Sequence, residues 1–236
     1  MPPKRRKTSE SPSVRRMPSY LDWLLRMRGL GKRTVSTTEL ADGMKLGWTV
    51  VRKDVALVGV AGRTRVGYDV DRLVDAMRAF LGWKEPRSAA LVGAGALGTA
   101  ILGCDELAQG GLRVDAVFDS DPAKAGTSVR GHAVLPLSDL PAALGRARPE
   151  IGVICVPPSA AQDVADLLVR HGVRYLWNFS GVALEVPEGV FVRRGSFAAG
   201  LAAISAKILE DRAARVRPPA RKRKAAASGR RTSHRR

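Results

Sequence analysis

Leu91-Val92-Gly93-Ala94-Gly95-Ala96-Leu97-Gly98 is the stretch whose reading decides the fold. Ser88-Ala89-Ala90 leads into it as an apolar run of strand type, and Thr99-Ala100-Ile101-Leu102 follows with the pattern of a helix's first turns. Strand, GxGxxG turn and helix in that order make the entry of a dinucleotide-binding βαβ unit. Gly93 permits the tight turn, Gly95 lets the backbone approach a pyrophosphate, and Gly98 lets the helix pack closely on the strand. Ala94, Ala96 and Leu97 complete a turn whose backbone N–H groups face the phosphates.

Downstream, Val114-Asp115-Ala116-Val117-Phe118 reads as a second strand ending in Asp119, twenty-six positions after Gly93. A carboxylate there can accept both ribose hydroxyls and would repel a 2′-phosphate, which favours NAD(H) over NADP(H). Two other readings of the same residues stay open. One is a glycine-rich strand–helix turn with an incidental aspartate; the other is a site for a different nucleotide such as coenzyme A.

The alternation of apolar runs with helical segments continues from Arg87. A short strand is expected near Ala133–Leu135, a helix around Asp139–Ala147, and a buried strand over Ile151–Val156 that Pro157-Pro158 breaks. Ser159 is expected to cap the next helix, which runs to His171-Gly172 and is followed by a strand over Arg174–Phe179. Continuous apolar strands separated by helices predict a parallel sheet covered on both faces. Ligands bind at the carboxyl ends of such strands, so Gly95, Asp119, Val156-Pro157 and Asn178-Phe179 should converge on one crevice.

Upstream, Tyr20, Leu21, Trp23, Leu24, Leu25 and Met27 have helical periodicity after Pro18, and Gly29-Leu30-Gly31 stops that helix. Ser36 with Glu39 three residues on has the form of a capping box. The second of the two helices that follow carries Thr49, Arg52 and Lys53 beside one apolar face, a helix–turn–helix in which the second helix enters the DNA major groove. Gly59 to Tyr68 is glycine-punctuated and basic, as a hairpin wing is, with Gly62, Arg63, Arg65 and Gly67 in it. A further amphipathic helix over Asp69–Phe80 completes a winged helix. Any one of Arg52, Lys53, Arg63 and Arg65 alone reads as a solvated basic residue; the set, on this scaffold, reads as a DNA contact.

Charge is distributed unevenly. The 236 residues carry a formal +18, yet residues 1–16 hold six Lys/Arg and one acid, and residues 212–236 hold eleven and none, so the two ends account for +16. Poor in large apolar residues, both ends are expected to be disordered. They read equally as salt-dependent nucleic-acid attractants and as solubilising tails with no partner. Cys104 and Cys155 lack metal-ligand or CxxC spacing, so no zinc site or disulfide framework is indicated and a reducing cytosol fits. No run has the length of a membrane span, and the basic start lacks the apolar region of a signal peptide. His132, His171 and His234 belong to no visible catalytic constellation, which argues against an NAD-dependent oxidoreductase.

Taken together, Val51-Arg52-Lys53-Asp54 with Val66-Gly67-Tyr68, the glycine turn with Phe118-Asp119-Ser120-Asp121-Pro122, Val156-Pro157 with Ala160-Ala161-Gln162, Asn178-Phe179 and Leu184-Glu185-Val186-Pro187 carry a resemblance. Across nearly all of residues 17–211 the chain resembles the Rex family of bacterial redox-sensing transcriptional repressors. The resemblance implies a cytoplasmic, nucleoid-associated homodimer that reads a palindromic operator, senses the NADH/NAD+ ratio and exchanges C-terminal helices between subunits. It carries Arg52 and Lys53 to the recognition helix, Gly62, Arg63 and Gly67 to the wing, the glycines and Asp119 to the dinucleotide, and Phe197 to the nicotinamide. It also implies a polar network of Arg, Tyr and Asp coupling the ring to domain orientation, and at those positions this chain has Asp22, Cys104 and Ser196. The reading with an accessory DNA-binding domain on an oxidoreductase or a coenzyme A module remains the alternative.

The expected architecture is therefore α/β: a disordered arm over 1–16, a winged helix over 17–82, a Rossmann domain over 87–195, a dimerisation helix over 196–212 and a disordered tail over 213–236. In that last helix Phe197, Leu201, Ile204 and Ile208 form the apolar stripe.

Overall fold

Ser11-Pro12, upstream of the Pro18 signal, opens the first helix. The structure, a computed structural model, describes residues 11–216, with the side chains at 197, 199, 211 and 213–216 outside that description. In α1 (Pro12–Gly29) the Ser11 hydroxyl accepts the Val14 N–H at 3.4 Å, and Pro12 occupies the first turn, where its missing N–H has no helical partner to lose. Residues 12–16 are thus helical, which corrects the expected boundary at 17. Pro18 lies inside the helix and does not start it; burial of Met17, Tyr20, Leu21 and Leu24 around it outweighs the lost backbone bond. The expectation of disorder over 1–10 and 217–236 falls outside the described residues.

Strand β1 (Thr34–Val35) leads into α2 (Thr37–Met44), where the capping box forms as the sequence indicates: the Ser36 hydroxyl accepts the Glu39 N–H at 3.1 Å and the Glu39 carboxylate accepts the Ser36 N–H at 2.8 Å. Helix α3 (Trp48–Leu57) follows, then β2 (Tyr68–Asp69), antiparallel to β1 with Val35 opposite Tyr68, and α4 (Val70–Leu81), capped by Asp69. Val51, Asp54 and Val55 form the buried face of α3 at spacings of three and one, and the two valines pack with Val35, Leu40, Leu73, Val74 and Met77 into one core. This is the expected winged helix.

A seven-stranded sheet forms from β3 (Arg87–Val92), β4 (Leu112–Asp119), β5 (Ser128–Val129), β6 (His132–Pro136), β7 (Ile151–Ile154), β8 (Tyr175–Asn178) and β9 (Phe191–Arg194). Its order is β5-β6-β4-β3-β7-β8-β9, parallel except for the edge strand β5, which the sequence reading had missed. The crossing of order at β3 places the carboxyl ends of β3, β4 and β7 around one crevice, as in a Rossmann sheet. Helices α7 (Leu140–Ala147) and α8 (Ala161–Arg170) bury one face through Leu140, Leu144, Val164 and Leu168. On the other face α5 (Ala96–Leu102) contributes Ile101 and, with α6 (Asp105–Gln109), partly buried Leu97, Leu102 and Leu107. Ser159 does not cap α8: Pro158–Ala160 forms a 3₁₀ turn, and Ala160 precedes the helix without a side-chain bond.

The segment from Gly195 onward is a second unit. It contains α9 (Phe197–Val216), which runs four residues beyond the expected end at 212 and therefore into the segment assigned to the tail. Leu201, Ile204 and Ile208 of the expected stripe, with Leu209, are exposed. Among the described residues no helix is long and apolar enough to cross a membrane, and no cluster of three His, Cys, Asp or Glu is placed to hold a metal.

Candidate functional site

Glycine is required at the end of β3 by two independent contacts. Gly93 has φ +104°, its N–H donates to the Phe118 carbonyl at 2.7 Å, and a Cβ on it would stand 2.6 Å from the Cys155 carbonyl oxygen. At Gly98, in the first turn of α5, a Cβ would overlap the Gly93 carbonyl oxygen. Between them Gly95 caps α5 without a side-chain bond, and a Cβ there would meet nothing within 4 Å. Strand, turn and helix are thus pressed together at Gly93 and Gly98 and open at Gly95, the cradle that the pyrophosphate of a dinucleotide needs. The opening belongs to a cavity of about 630 Å³ whose wall includes Gly93, Gly95, Asp119, Lys124, Val156, Pro157 and Phe179. Ala94 is buried in the turn, and Ala96 and Leu97 begin α5.

Asp119 ends β4 at the edge of this cavity, but its carboxylate is not idle. It accepts the Ala94 N–H at 2.8 Å, the Asp121 N–H at 2.9 Å and the Lys124 ammonium at 3.0 Å. Burial pushes the Asp119 carboxyl up, and these hydrogen bonds together with the Lys124 charge outweigh it and hold the group below the usual carboxylate range. An ionised carboxylate offers about four lone-pair sites, so about one is left for a ribose hydroxyl. Lys124 also offsets the negative charge that the sequence reading set against a 2′-phosphate. The reading missed Lys124; its only signal was a cation five residues after Asp119, past a DP turn.

Asn178 is the one expected crevice residue placed elsewhere. It is buried, its amide donates to the Val182 carbonyl at 2.9 Å, and its oxygen accepts the Ser180 N–H and hydroxyl. Asn178 shapes the turn that brings Phe179 and Ser180 to the cavity and does not line it. Cys155, expected in the core, is partly buried at the cavity wall, and burial pushes its thiol up to about 12. The Phe197 side chain lies outside the described residues.

On α3 the residues opposite the buried face are exposed, among them Thr49, Arg52 and Lys53. N-cap Gly47 brings no side-chain acceptor, so the first amides of α3 are not capped by a side chain. The wing is a tight hairpin in which Arg63 and Gly67 exchange backbone bonds of 2.8 and 2.9 Å. Gly67 has φ +94° and sits against the Val35 carbonyl, Gly62 lies under the Tyr68 ring, and Arg65 adopts φ +63° at the exposed tip. A non-glycine residue in the left-handed region costs roughly 1 kcal/mol. That cost is kept at a basic tip.

One network fixes α3 to α1. The Asp54 carboxylate, 1% exposed, accepts Arg16 Nε at 2.7 Å, Arg16 Nη2 at 3.0 Å and the Tyr20 hydroxyl at 3.1 Å. Burial raises the Asp54 carboxyl, but bonds from Arg16, Ser13 and Tyr20 with the Arg16 charge prevail and leave it below its ordinary value. Tyr20 moves the other way, to about 12, first by burial and then by the Asp54 charge. Asp54 was named in the sequence only as part of a run; its partner lies 38 residues away.

The three positions that depart from the resemblance are also placed. Asp22 is exposed and pairs with Arg26 at 3.0 Å one helical turn on; both line a cleft with Glu106 and Arg78, whose Nε is buried without a partner among the described residues. Cys104 caps α6 where the helix breaks after α5, and Ser196 lies just before α9.

Comparison with known proteins matches both halves. The family described as CoA binding domain matches residues 84–182, and that described as putative DNA-binding protein N-terminus matches residues 11–55. The redox-sensing transcriptional repressor Rex of Treponema denticola is 34% identical over 198 residues, covering 84% of this chain and 94% of that protein. Rex of Porphyromonas gingivalis is 38% identical over 81% of this chain and 88% of its own length, and Rex of Streptomyces griseus 42% identical over 77% and 72%. Among solved structures, RSP in complex with β-NAD+ and operator DNA is similar with a TM-score of 0.77 at 28% identity, covering 86% of this chain and 94% of that one, and RSP with β-NADH has a TM-score of 0.76 at 27%, covering 86% and 95%. With a glycine cradle in one domain, an exposed basic helix in the other and relatives matched along both, the chain belongs to the Rex family of redox-sensing transcriptional repressors.

Proposed function

We propose that this chain is a DNA-binding repressor that holds NAD(H) in the cavity above β3, β4 and β7. The observation that carries the reading is the cradle itself: side chains are excluded at Gly93 and Gly98, space is open at Gly95, and an anchored carboxylate stands beside it. Gly95 to Gly98 would hold the pyrophosphate through backbone N–H groups, since those of Gly93 and Ala94 are taken by the Phe118 carbonyl and the Asp119 carboxylate; Asp119 would hold one ribose hydroxyl, and Val156, Pro157 and Phe179 the apolar wall. Bound NAD(H) supplies the redox signal; the protein groups bind and orient it. The relatives are named as repressors, not enzymes.

In this reading Thr49, Arg52 and Lys53 of α3 enter the major groove while Gly62, Arg63, Arg65 and Gly67 of the wing follow the backbone. The RSP structure with operator DNA and the exposure of these residues, all but half-buried Gly67, support it. The protein acts as a homodimer, for which the exposed stripe of α9 is the candidate interface, and it works in the cytoplasm on the nucleoid. NADH responsiveness is weakened relative to the family. NAD+ and NADH differ by one charge and a ring pucker, so switching requires differential contacts, and Asp22, Cys104 and Ser196 stand where the family's coupling groups would be.

Titration of operator complexes with NADH and NAD+ tests the reading. Comparable, shallow effects of the two are expected; release by NADH alone at micromolar levels would refute weakened switching. Changing Arg52 and Lys53 to Ala should remove specific genomic sites while leaving bulk DNA affinity. The match to a CoA binding domain supports a second ligand class, and a thermal shift by acetyl-CoA but not by NADH would favour it.

A further inference from the structure

Trp48 opens α3 and is 49% exposed, although it belongs neither to the domain's core nor to the side chains packed on it. The Arg52 guanidinium lies 5.3 Å from the centre of its ring, one helical turn on. Leaving half an indole in water at the first position of a helix has no structural return: Trp is not a favoured helix starter, and Gly47 before it provides no cap. What the arrangement does achieve is to restrict an arginine. A free Arg side chain carries large rotamer entropy, whereas a guanidinium stacked on an aromatic face is held in one plane.

We propose that Trp48 is a specificity-determining residue of the DNA contact, and this rests on the operator-binding reading above. Its indole fixes Arg52 for a two-pronged contact with the major-groove edge of a guanine, and its exposed edge packs on the 5-methyl group of a thymine next to that guanine. Arginine matches guanine O6 and N7, and only thymine presents a methyl group in the groove, so the pair reads two adjacent bases with one rigid unit. Thr49 and Lys53 lie on the same exposed side of the helix and supply polar and phosphate contacts around it.

The test uses the full chain. A binding site is first selected from a random duplex library; selection of no sequence at all would overturn the operator reading itself. On the selected duplex, each thymine flanking the guanine that Arg52 requires is replaced by uracil, which removes only the methyl group. Wild type is expected to lose about fourfold in affinity at one such position, the worth of one buried methyl group. W48A is expected to lose on the order of tenfold on the parent duplex, from the methyl contact and the stacked arginine together, and to lose nothing more with uracil. W48F, which keeps a ring under Arg52, should recover part of the loss. Parent-duplex binding by W48A at wild-type strength, or an equal uracil penalty in wild type and W48A, would overturn the proposal while leaving operator binding intact. Because Trp48 is half exposed, thermal unfolding of W48A should match wild type.

Discussion

Asp54→Asn removes one charge from the join between α1 and α3 while keeping the shape. The wild-type carboxylate accepts two bonds from Arg16 and one from Tyr20, all at 3.1 Å or less. Asparagine keeps one acceptor and turns an NH₂ group toward the Arg16 donors, so at least one bond is lost and a donor faces a donor. Breaking a buried ion pair costs about 3–5 kcal/mol. Arg16 is 29% exposed and can rotate part of its guanidinium to water, which lowers the expected cost to about 2–3 kcal/mol. For the N-terminal domain that is a fall of about 1–2 M in the urea midpoint, followed by tryptophan fluorescence. The pH dependence identifies the cause. Asp54 has a folded pKa below its ordinary 3.8, so its contribution is present above that value and is lost as pH falls through the folded pKa. The gap between wild type and variant should be full at pH 7, begin to close near pH 4 and vanish at still lower pH. Equal midpoints at pH 7, or a gap that persists unchanged to pH 2, would refute the assignment of α3's anchorage to this ion pair.

At the alkaline end Tyr20 acts with the opposite sign: its folded pKa of about 12 exceeds the ordinary 10, so its contribution is present below pH 10 and lost as pH rises toward 12. Tyr20→Phe should therefore flatten the fall in stability over pH 10–12, measured by the same urea midpoints. Gly93→Ala places a Cβ 2.6 Å from the Cys155 carbonyl oxygen at φ +104°, a loss on the order of 2–4 kcal/mol; NADH-induced thermal shift should disappear while α3 and its core, which share no residue with this turn, still bind the selected duplex. Cys155, with its thiol pushed to about 12, should resist iodoacetamide at pH 8 in the folded protein and react on unfolding, as read by mass spectrometry.

How much of this was legible in the sequence follows the range of the forces involved. The capping box at Ser36 and Glu39, the turn at Gly93 to Gly98 and the alternation of strands with helices all depend on neighbours within a few residues, and all formed at the expected places. Errors arose where a local signal had a rival. Pro18 reads as a helix start, yet Ser11-Pro12 is a better one, and α1 runs through Pro18 because its apolar side packs against α4. Ser159 reads as a cap, but two prolines before it impose a 3₁₀ turn. Asn178 reads as a ligand-facing strand end, and its side chain instead satisfies the backbone of the next turn. The groups that fix the site's electrostatics, Lys124 on Asp119 and Arg16 on Asp54, were invisible as partners: a surplus of basic residues offers many candidates for each carboxylate, and only the fold selects one.

That selection also bears on how a ligand could influence the DNA contact. Asp119 already neutralises Lys124 and ties the glycine turn to β4, so the ribose end of the cavity is set before any nucleotide arrives. Asp22 is likewise committed, to Arg26 on its own helix, and an exposed pair one turn apart contributes only about 0.3–0.5 kcal/mol. A switch between two DNA-binding states needs several kcal/mol of difference between its ligands. A pair that weak can be exchanged for another partner at little cost, but it cannot by itself hold the two states apart. Among the described residues the Arg78 Nε, in the same cleft, has no partner, and a buried donor left without an acceptor costs about 1–3 kcal/mol, so a state that brought an acceptor to it would be favoured. Within this cleft, then, an acceptor brought to Arg78 would weigh more than the exposed carboxylate at Asp22.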